Sequence, residues 1–107
     1  YIEGKLDLNR HLIKHPAATF FVRVTGNSMT GAGIHSGDLL IVDRSLEPTD
    51  GQVVVAVLDG ELTVKRLQRC HGVTRLLAEN PLYRPIEITE HQTIEIWGVV
   101  TNVIHPL

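Results

Sequence analysis

The chain has few cysteines, little net charge and no long apolar run, and the opposite of each of these features would have indicated a class of function. Its 107 residues include one cysteine, Cys70, so no internal disulfide can form, and we expect a reducing, cytoplasmic environment. The formal net charge is −2, which gives no basis for strong direct nucleic-acid binding by this domain. No apolar run approaches the roughly 20 residues of a membrane-spanning helix, so we expect no membrane anchor.

The sequence also begins without a methionine or a signal peptide, so we expect a processed or trimmed form of a longer protein. Its length suits a single domain with a real core. Its hydrophobic content of 43% and charged content of 21% are ordinary for a soluble globule. We expect an N-terminal arm with a short helix at residues 1–17 and a β domain at residues 18–107.

Within the arm, residues 1–5 are expected to be extended. Asp7 is placed to cap a helix over residues 8–14, before Pro16. His11 and His15 are spaced i, i+4, as metal ligands on a helix can be, but no third ligand accompanies them. We therefore expect neither a metal nor a cofactor.

Short β-branched and apolar segments, separated by turn residues, dominate the remainder. They predict strands over residues 19–25, 39–42, 52–58, 61–68, 73–78, 86–88 and 93–104, the last bent near Gly98. Asp59-Gly60 is a strong hairpin signal, and His71-Gly72 is a second turn. The pattern predicts a mostly β fold whose antiparallel strands curl into a partly closed barrel or sandwich. The predicted core is Phe20, Val22, Val24, Leu40, Val42, Val53, Val55, Val64, Leu77 and Val99.

The last predicted strand is long, apolar and poor in charge. A strand of this kind at a sheet edge invites pairing with another copy, so we expect a homodimer through residues 93–104. The alternative is that this strand is covered inside the monomer.

One serine lies in a glycine-rich turn between two predicted strands. Ser28 follows Gly26 and precedes Gly31, and such a turn can present a hydroxyl beside backbone N–H groups. The spacing is G-x-S-x-x-G, which differs from the G-x-S-x-G of α/β-hydrolases, and no strand–helix alternation follows. No His-Asp pair stands out as the orienting base.

A lysine in the predicted strand 61–68 offers another base. Lys65 shares its strand face with Thr63 and Leu67, so it can be shielded from water, and shielding lowers a lysine pKa. A neutral lysine beside a serine is a known variant of serine-peptidase chemistry. From the residues alone, the more common interpretation is that Ser28 is a turn residue and Lys65 a solvated edge charge.

Five segments resemble the LexA/UmuD family of self-cleaving Ser-Lys peptidases (S24). They are residues 26–29 (GNSM), 33–43 (GIHSGDLLIVD), 59–67 (DGELTVKRL), 79–86 (ENPLYRPI) and 97–100 (WGVV). They occur in the family's order and spacing, and residues 7–16 and 20–23 resemble the UmuD branch more than the LexA branch. The chain thus resembles the trimmed, UmuD′-like form.

The resemblance implies Ser28 as the nucleophile and Lys65 as the general base. The backbone N–H groups of Asn27 and Ser28 are candidates for the oxyanion site, with Gly26 and Met29 supporting it. The implied substrate is the protein's own N-terminal arm, cut at a small-residue–Gly bond that this chain lacks before Tyr1. The implied partners are a second copy, an error-prone UmuC-type Y-family DNA polymerase of the SOS response, and a RecA filament as co-protease.

Two other functions remain open at this point. The chain can be the self-cleaving C-terminal dimerisation domain of a LexA-type repressor. It can also be a non-catalytic β-barrel interaction module that has kept the fold.

Overall fold

The computed structural model describes residues 3–89 and 91–107. Within these residues the chain forms one helix, α1 (Leu8–Leu12), and seven strands. The strands are β1 (Thr19–Arg23), β2 (Leu39–Asp43), β3 (Val53–Leu58), β4 (Glu61–Cys70), β5 (Val73–Leu77), β6 (Ile86–Glu87) and β7 (Ile94–Ile104). Short 3₁₀ turns occupy Pro16–Ala18 and Thr30–Ala32.

All seven strands join one antiparallel sheet in the order β1-β2-β7-β3-β4-β5-β6. The predicted mostly β, antiparallel fold with one short N-terminal helix is therefore confirmed. The sheet of the described residues is open, with β1 and β6 at its ends, which agrees with the sandwich-like form of that prediction.

The long last strand was placed wrongly at a sheet edge, because β7 lies between β2 and β3 in the middle of the sheet. Residues 94–99 pair with β3, and residues 99–104 pair with β2 on the other side. A bulge at Trp97, beside Gly98, accounts for the predicted bend. Each half of β7 thus has one strand neighbour in the described part of the chain, and Arg44 Nε donates to the carbonyl oxygen of Trp97 at 3.0 Å.

Apolar clusters cover both faces of the sheet. Val54 and Val55 are both fully buried, and successive side chains of a strand point to opposite faces. Val55 belongs to a cluster with Val24, Met29, Ile34, Leu40 and Val42. Val54 belongs to a second cluster with Ala56, Leu67, Leu76 and Val99.

Five of the ten predicted core residues are buried, namely Val24, Leu40, Val42, Val55 and Val99. Phe20, Val22, Val53 and Val64 are partly buried against the first cluster. Leu77 was the wrong choice in β5, because Leu76 is the fully buried neighbour and pairs across the sheet with Leu67.

The hairpin turns have the backbone that their sequences predict. Asp59 and Gly60 have φ angles of 49° and 84°, and His71 and Gly72 have 51° and 78°. Two consecutive residues with positive φ match the type I′ turn that suits the twist of paired strands. The first of these turns fixes the register of β4 against β3, which places Lys65 opposite Val54.

The N-terminal helix is shorter than the predicted residues 8–14. Asp7 caps it as expected, accepting the Asn9 N–H at 3.1 Å, but Ile13 is already extended. His15 is therefore off the helix, and its Nδ1 contacts Asp43 Oδ2 at 2.5 Å. The His11–His15 pair on one helix face is thus not formed. Residues 3–5 carry no helix or strand, and Tyr1 and Ile2 of the predicted arm lie outside the described residues.

Two buried aspartates lie at the two ends of β2, and each pairs with a histidine that is distant in the sequence. Asp38 pairs with His105 at 2.5 Å, and Asp43 pairs with His15. Burial works to raise the pKa of Asp38, but the His35 N–H and the His105 ring outweigh it, so that pKa lies below its ordinary value. The Ser45 hydroxyl, helped by His15, likewise lowers the pKa of Asp43 against the effect of burial.

Candidate active site

The turn that carries Ser28 begins where β1 ends. Gly26 has a φ of +90°, a conformation that side-chain-bearing residues rarely adopt, and it redirects the chain away from the sheet. Met29 follows Ser28 and is only 2% exposed, within the apolar cluster of Val24 and Leu40. The buried Met29 side chain anchors a turn whose serine lies partly at the surface.

Lys65 reaches this turn from the middle of β4. Its Nζ lies 3.0 Å from Ser28 Oγ, 2.8 Å from Thr63 Oγ1 and 3.2 Å from the Val64 carbonyl oxygen. The structure therefore brings together the serine and the lysine that the sequence singled out, although they are 37 positions apart.

The environment of Lys65 makes its ammonium group easier to deprotonate than that of a free lysine. Burial lowers the pKa of Lys65 below its ordinary value of 10.5, because a charged ammonium loses hydration there. A neutral amine has two N–H bonds and one lone pair. Thr63 Oγ1 and the Val64 carbonyl can accept the two N–H bonds, which leaves the lone pair for the Ser28 hydroxyl.

Ser28 and Lys65 lie in one cleft of about 150 Å³ between the end of β1 and the first half of β4. Its walls combine apolar side chains with a few polar groups, as is usual for sites that orient a ligand. The other lining residues are Val22, Arg23, Val24, Thr25, Gly26, Met29, Leu62, Thr63 and Val64. The cleft is thus accessible from outside and bordered by extended backbone.

The backbone N–H groups of Asn27 and Ser28 belong to the same turn. Among the described residues, neither is used in a hydrogen bond within the protein. Free N–H groups in a turn beside a serine hydroxyl are the kind of donors that can stabilise an oxyanion.

The sequence reasoning missed a support for this turn from the segment after β5. The Glu79 carbonyl accepts the Gly31 N–H at 2.7 Å, and the Asn80 side chain donates to the Asn27 carbonyl at 2.8 Å. A Cβ on Gly31 would lie 2.6 Å from the Glu79 oxygen, so glycine is required for this close approach. The Glu79 carboxylate also pairs with Arg66, the residue after Lys65.

Thr63 and Asn80 both stood in segments that carry the family resemblance, yet they had no assigned role. Thr63 lies on the same predicted strand face as Lys65, and this is the sequence signal that indicates their contact. For Asn80 no local signal existed, because its partner Asn27 is 53 positions away.

The described part of the chain contains no group of three or more His, Cys, Asp or Glu side chains suited to hold a metal ion. The rings of His35 and His105 meet edge to face near Asp38, with centroids 5.0 Å apart. In residues 3–89 and 91–107, no helix is long and apolar enough to cross a membrane.

The described chain is an antiparallel β domain with a serine hydroxyl and a lysine amine in hydrogen-bond contact, and this arrangement is compatible with a serine peptidase. The model of the Peptidase S24-like family matches residues 1–101, and the chain belongs to this family.

Curated relatives match nearly the whole chain. It is 50% identical over 105 residues to the protein SamA of Salmonella typhimurium, covering 98% of this chain and 72% of SamA. It is 47% identical over 106 residues to the protein ImpA of Escherichia coli, covering 98% and 71%. It is also 44% identical over 105 residues to the LexA repressor of Erwinia tasmaniensis, covering 97% of this chain but 52% of that repressor.

Proposed function

We propose that this chain is a UmuD-like SOS mutagenesis protein with a Ser28–Lys65 peptidase site that cleaves its own N-terminal arm. The observation that carries the proposal is the 3.0 Å contact between Lys65 Nζ and Ser28 Oγ in an accessible cleft. The lowered pKa of Lys65, caused by its burial, adds to it, because a base must lose its proton to act.

The reaction begins when neutral Lys65 takes the proton from Ser28 Oγ as that oxygen attacks a peptide carbonyl carbon. The Asn27 and Ser28 N–H groups stabilise the negative carbonyl oxygen. The C–N bond then breaks, and Lys65 returns its proton to the departing amine, which leaves an ester on Ser28. Water hydrolyses this ester with Lys65 again as the base, giving a carboxylic acid and free Ser28.

The processed form is proposed to act as a homodimeric accessory subunit of a UmuC-type Y-family DNA polymerase, which performs the polymer synthesis. A RecA filament is the proposed co-protease for self-cleavage. The support for these partners is the family resemblance, to which the identities of 50% and 47% to SamA and ImpA add.

A LexA-type repressor domain is the second candidate, favoured by the 44% identity to the repressor of Erwinia tasmaniensis. The residues that precede position 1 in the natural protein separate the two. A short arm supports the UmuD type, whereas a helical DNA-reading domain supports the repressor.

A fluorophosphonate tests the peptidase site in the 107-residue chain itself. Ser28 Oγ should attack the phosphorus, the P–F bond should break with loss of fluoride, and Lys65 should take the serine proton. Peptide mass spectrometry should find the adduct on Ser28 and not on Ser36, an exposed serine of a neighbouring turn. An unreactive Ser28 at all pH values would favour the non-catalytic interaction module.

Dimerisation can be tested separately, and the structure suggests a revised surface. Residues 100–104 of β7 pair with β2 alone in the described chain, and Val103 and Ile104 are 38% and 42% exposed. We expect sedimentation at micromolar concentration to find a dimer, and Val103→Lys to convert it to a monomer, since an edge lysine opposes strand pairing. A native monomer would refute the dimer, and a dimeric Val103→Lys variant would place the interface elsewhere.

A further inference from the structure

Segment 79–80 holds the Ser28 turn from both sides. Before the serine, Asn80 Nδ2 donates to the Asn27 carbonyl at 2.8 Å. After it, the Gly31 N–H donates to the Glu79 carbonyl at 2.7 Å. The nucleophile is therefore fixed not only by its own turn but also by a segment that follows β5.

The Asn80 amide has a defined orientation. Its Oδ1 accepts the Leu82 N–H at 2.9 Å, so its NH₂ group is the part that faces the Asn27 carbonyl. The two contacts assign the oxygen and nitrogen without ambiguity, because a carbonyl cannot donate and an N–H cannot accept. Asn80 is partly buried, and its hydrogen bond reaches the carbonyl of the exposed Asn27 at the surface of the turn.

The Asn27 carbonyl and the Ser28 N–H are two ends of one peptide group. That group is planar and normally trans, so its C=O and N–H point in opposite directions. A hydrogen bond that fixes the carbonyl also fixes the direction of the N–H. The same bond polarises the peptide group, which makes its N–H a stronger donor.

We propose that Asn80 is a positioning residue that aims the Ser28 N–H at the oxyanion. This inference rests on the proposed peptidase function and adds a residue outside the Ser28–Lys65 pair. Asn80 does not touch the reacting atoms; it acts through the Asn27–Ser28 peptide group.

A purely structural role for Asn80 would be to hold the turn of residues 80–82. Asn80→Asp separates the two roles, because its carboxylate can still accept the Leu82 N–H but cannot donate to the Asn27 carbonyl. Asn80→Ala removes both contacts without adding charge. The two variants together therefore distinguish loss of the donor from loss of the turn.

The experiment measures the rate of fluorophosphonate labelling of Ser28 across pH, well below the melting temperature of each variant. The phosphoryl oxygen of the probe occupies the position of the developing oxyanion, so its labelling rate depends on the Ser28 N–H. Loss of one oxyanion donor costs about 10²–10³-fold, and a misdirected donor costs part of that. We expect both Asn80 variants to lower the plateau rate at high pH by at least about tenfold.

The midpoint of the pH profile reports the proton on Lys65 and serves as the internal comparison. This midpoint should be unchanged in Asn80→Ala. The added negative charge of Asn80→Asp can raise the pKa of Lys65 and with it the midpoint, so the variants are compared by their plateau rates. Asn9→Ala and Asn9→Asp are matched controls at an exposed helix position and should label at the native rate.

Native plateau rates in Asn80→Asp would overturn the inference, as would a shifted midpoint with an unchanged plateau. Failure of the native chain to label at Ser28 would instead refute the proposed peptidase function, and the inference with it.

Discussion

A full-length version of the protein with Ser28→Ala or Lys65→Ala is expected to fold normally and to lose self-cleavage. The loss should be at least about a thousandfold, because a serine hydroxyl without its base is a weak nucleophile and neither group can act alone. Intact-mass spectrometry, after incubation with RecA filaments or at alkaline pH, should find the uncut chain for both variants.

Lys65→Arg is the most informative additional variant, because it separates the charge of Lys65 from its ability to act as a base. Arginine keeps the positive charge but stays protonated at any accessible pH, so it cannot serve as a base. We expect Lys65→Arg to be as inactive as Lys65→Ala. Ser36→Ala, at an exposed position outside both the cleft and the N-terminal arm, should cleave at the native rate. Efficient cleavage by any Ser28 or Lys65 variant would exclude the pair as the catalytic site.

The local signals in the sequence were sufficient for most of the fold. The two turns with consecutive positive φ angles were visible as Asp59-Gly60 and His71-Gly72, and they set the β3–β4 and β4–β5 hairpins. Short-range turn chemistry determines such hairpins, so a single sequence is enough to find them.

The position of β7 was not predictable in the same way. A long apolar strand of this kind is found both at the edge of a sheet, where it can pair with another copy, and in the centre of a sheet between two other strands. Only the order of the strands in the sheet distinguishes these two positions. The wrong choice of Leu77 over Leu76 has a related cause. A shift of one residue reverses the buried face of a strand, and cross-strand pairing with Leu67 decides it.

The candidate site shows the same division between local and long-range information. Ser28 in its glycine-rich turn and Lys65 on a strand were each recognisable, but their spacing alone could not show that they meet. The contact of Asn80 with Asn27 joins segments far apart in the sequence and depends on the folded sheet. The sequence could therefore indicate the reacting groups, whereas their support needed the structure.

The lowered pKa of Lys65 leads to two related predictions, one about the rate of self-cleavage and one about stability. Self-cleavage should rise about tenfold per pH unit below the folded-state pKa of Lys65 and level off above it, because the neutral amine is the reactive form. That pKa is lowered by burial from its ordinary value of 10.5. Between these two values the unfolded chain binds the extra proton, so stability rises with pH across this window.

Because burial disfavours the charged form of Lys65, this residue lowers the stability of the folded protein at any pH below its ordinary pKa of 10.5, including neutral pH. We therefore expect Lys65→Met to be at least as stable as the native chain at pH 7, although it is inactive. The hydroxyls of Ser28 and Thr63 lose a donor in this variant, but both border the cleft and can turn to water.

Thermal melts of both proteins from pH 7 to above pH 10 test this directly. The native melting temperature should approach that of Lys65→Met as pH rises, whereas Lys5→Met, at an exposed position, should follow the native curve throughout. If Lys65→Met melts clearly lower at pH 7, the three hydrogen bonds of the Lys65 ammonium outweigh its lost hydration. Lys65 would then be a charged structural residue, and its role as the base would have to be abandoned.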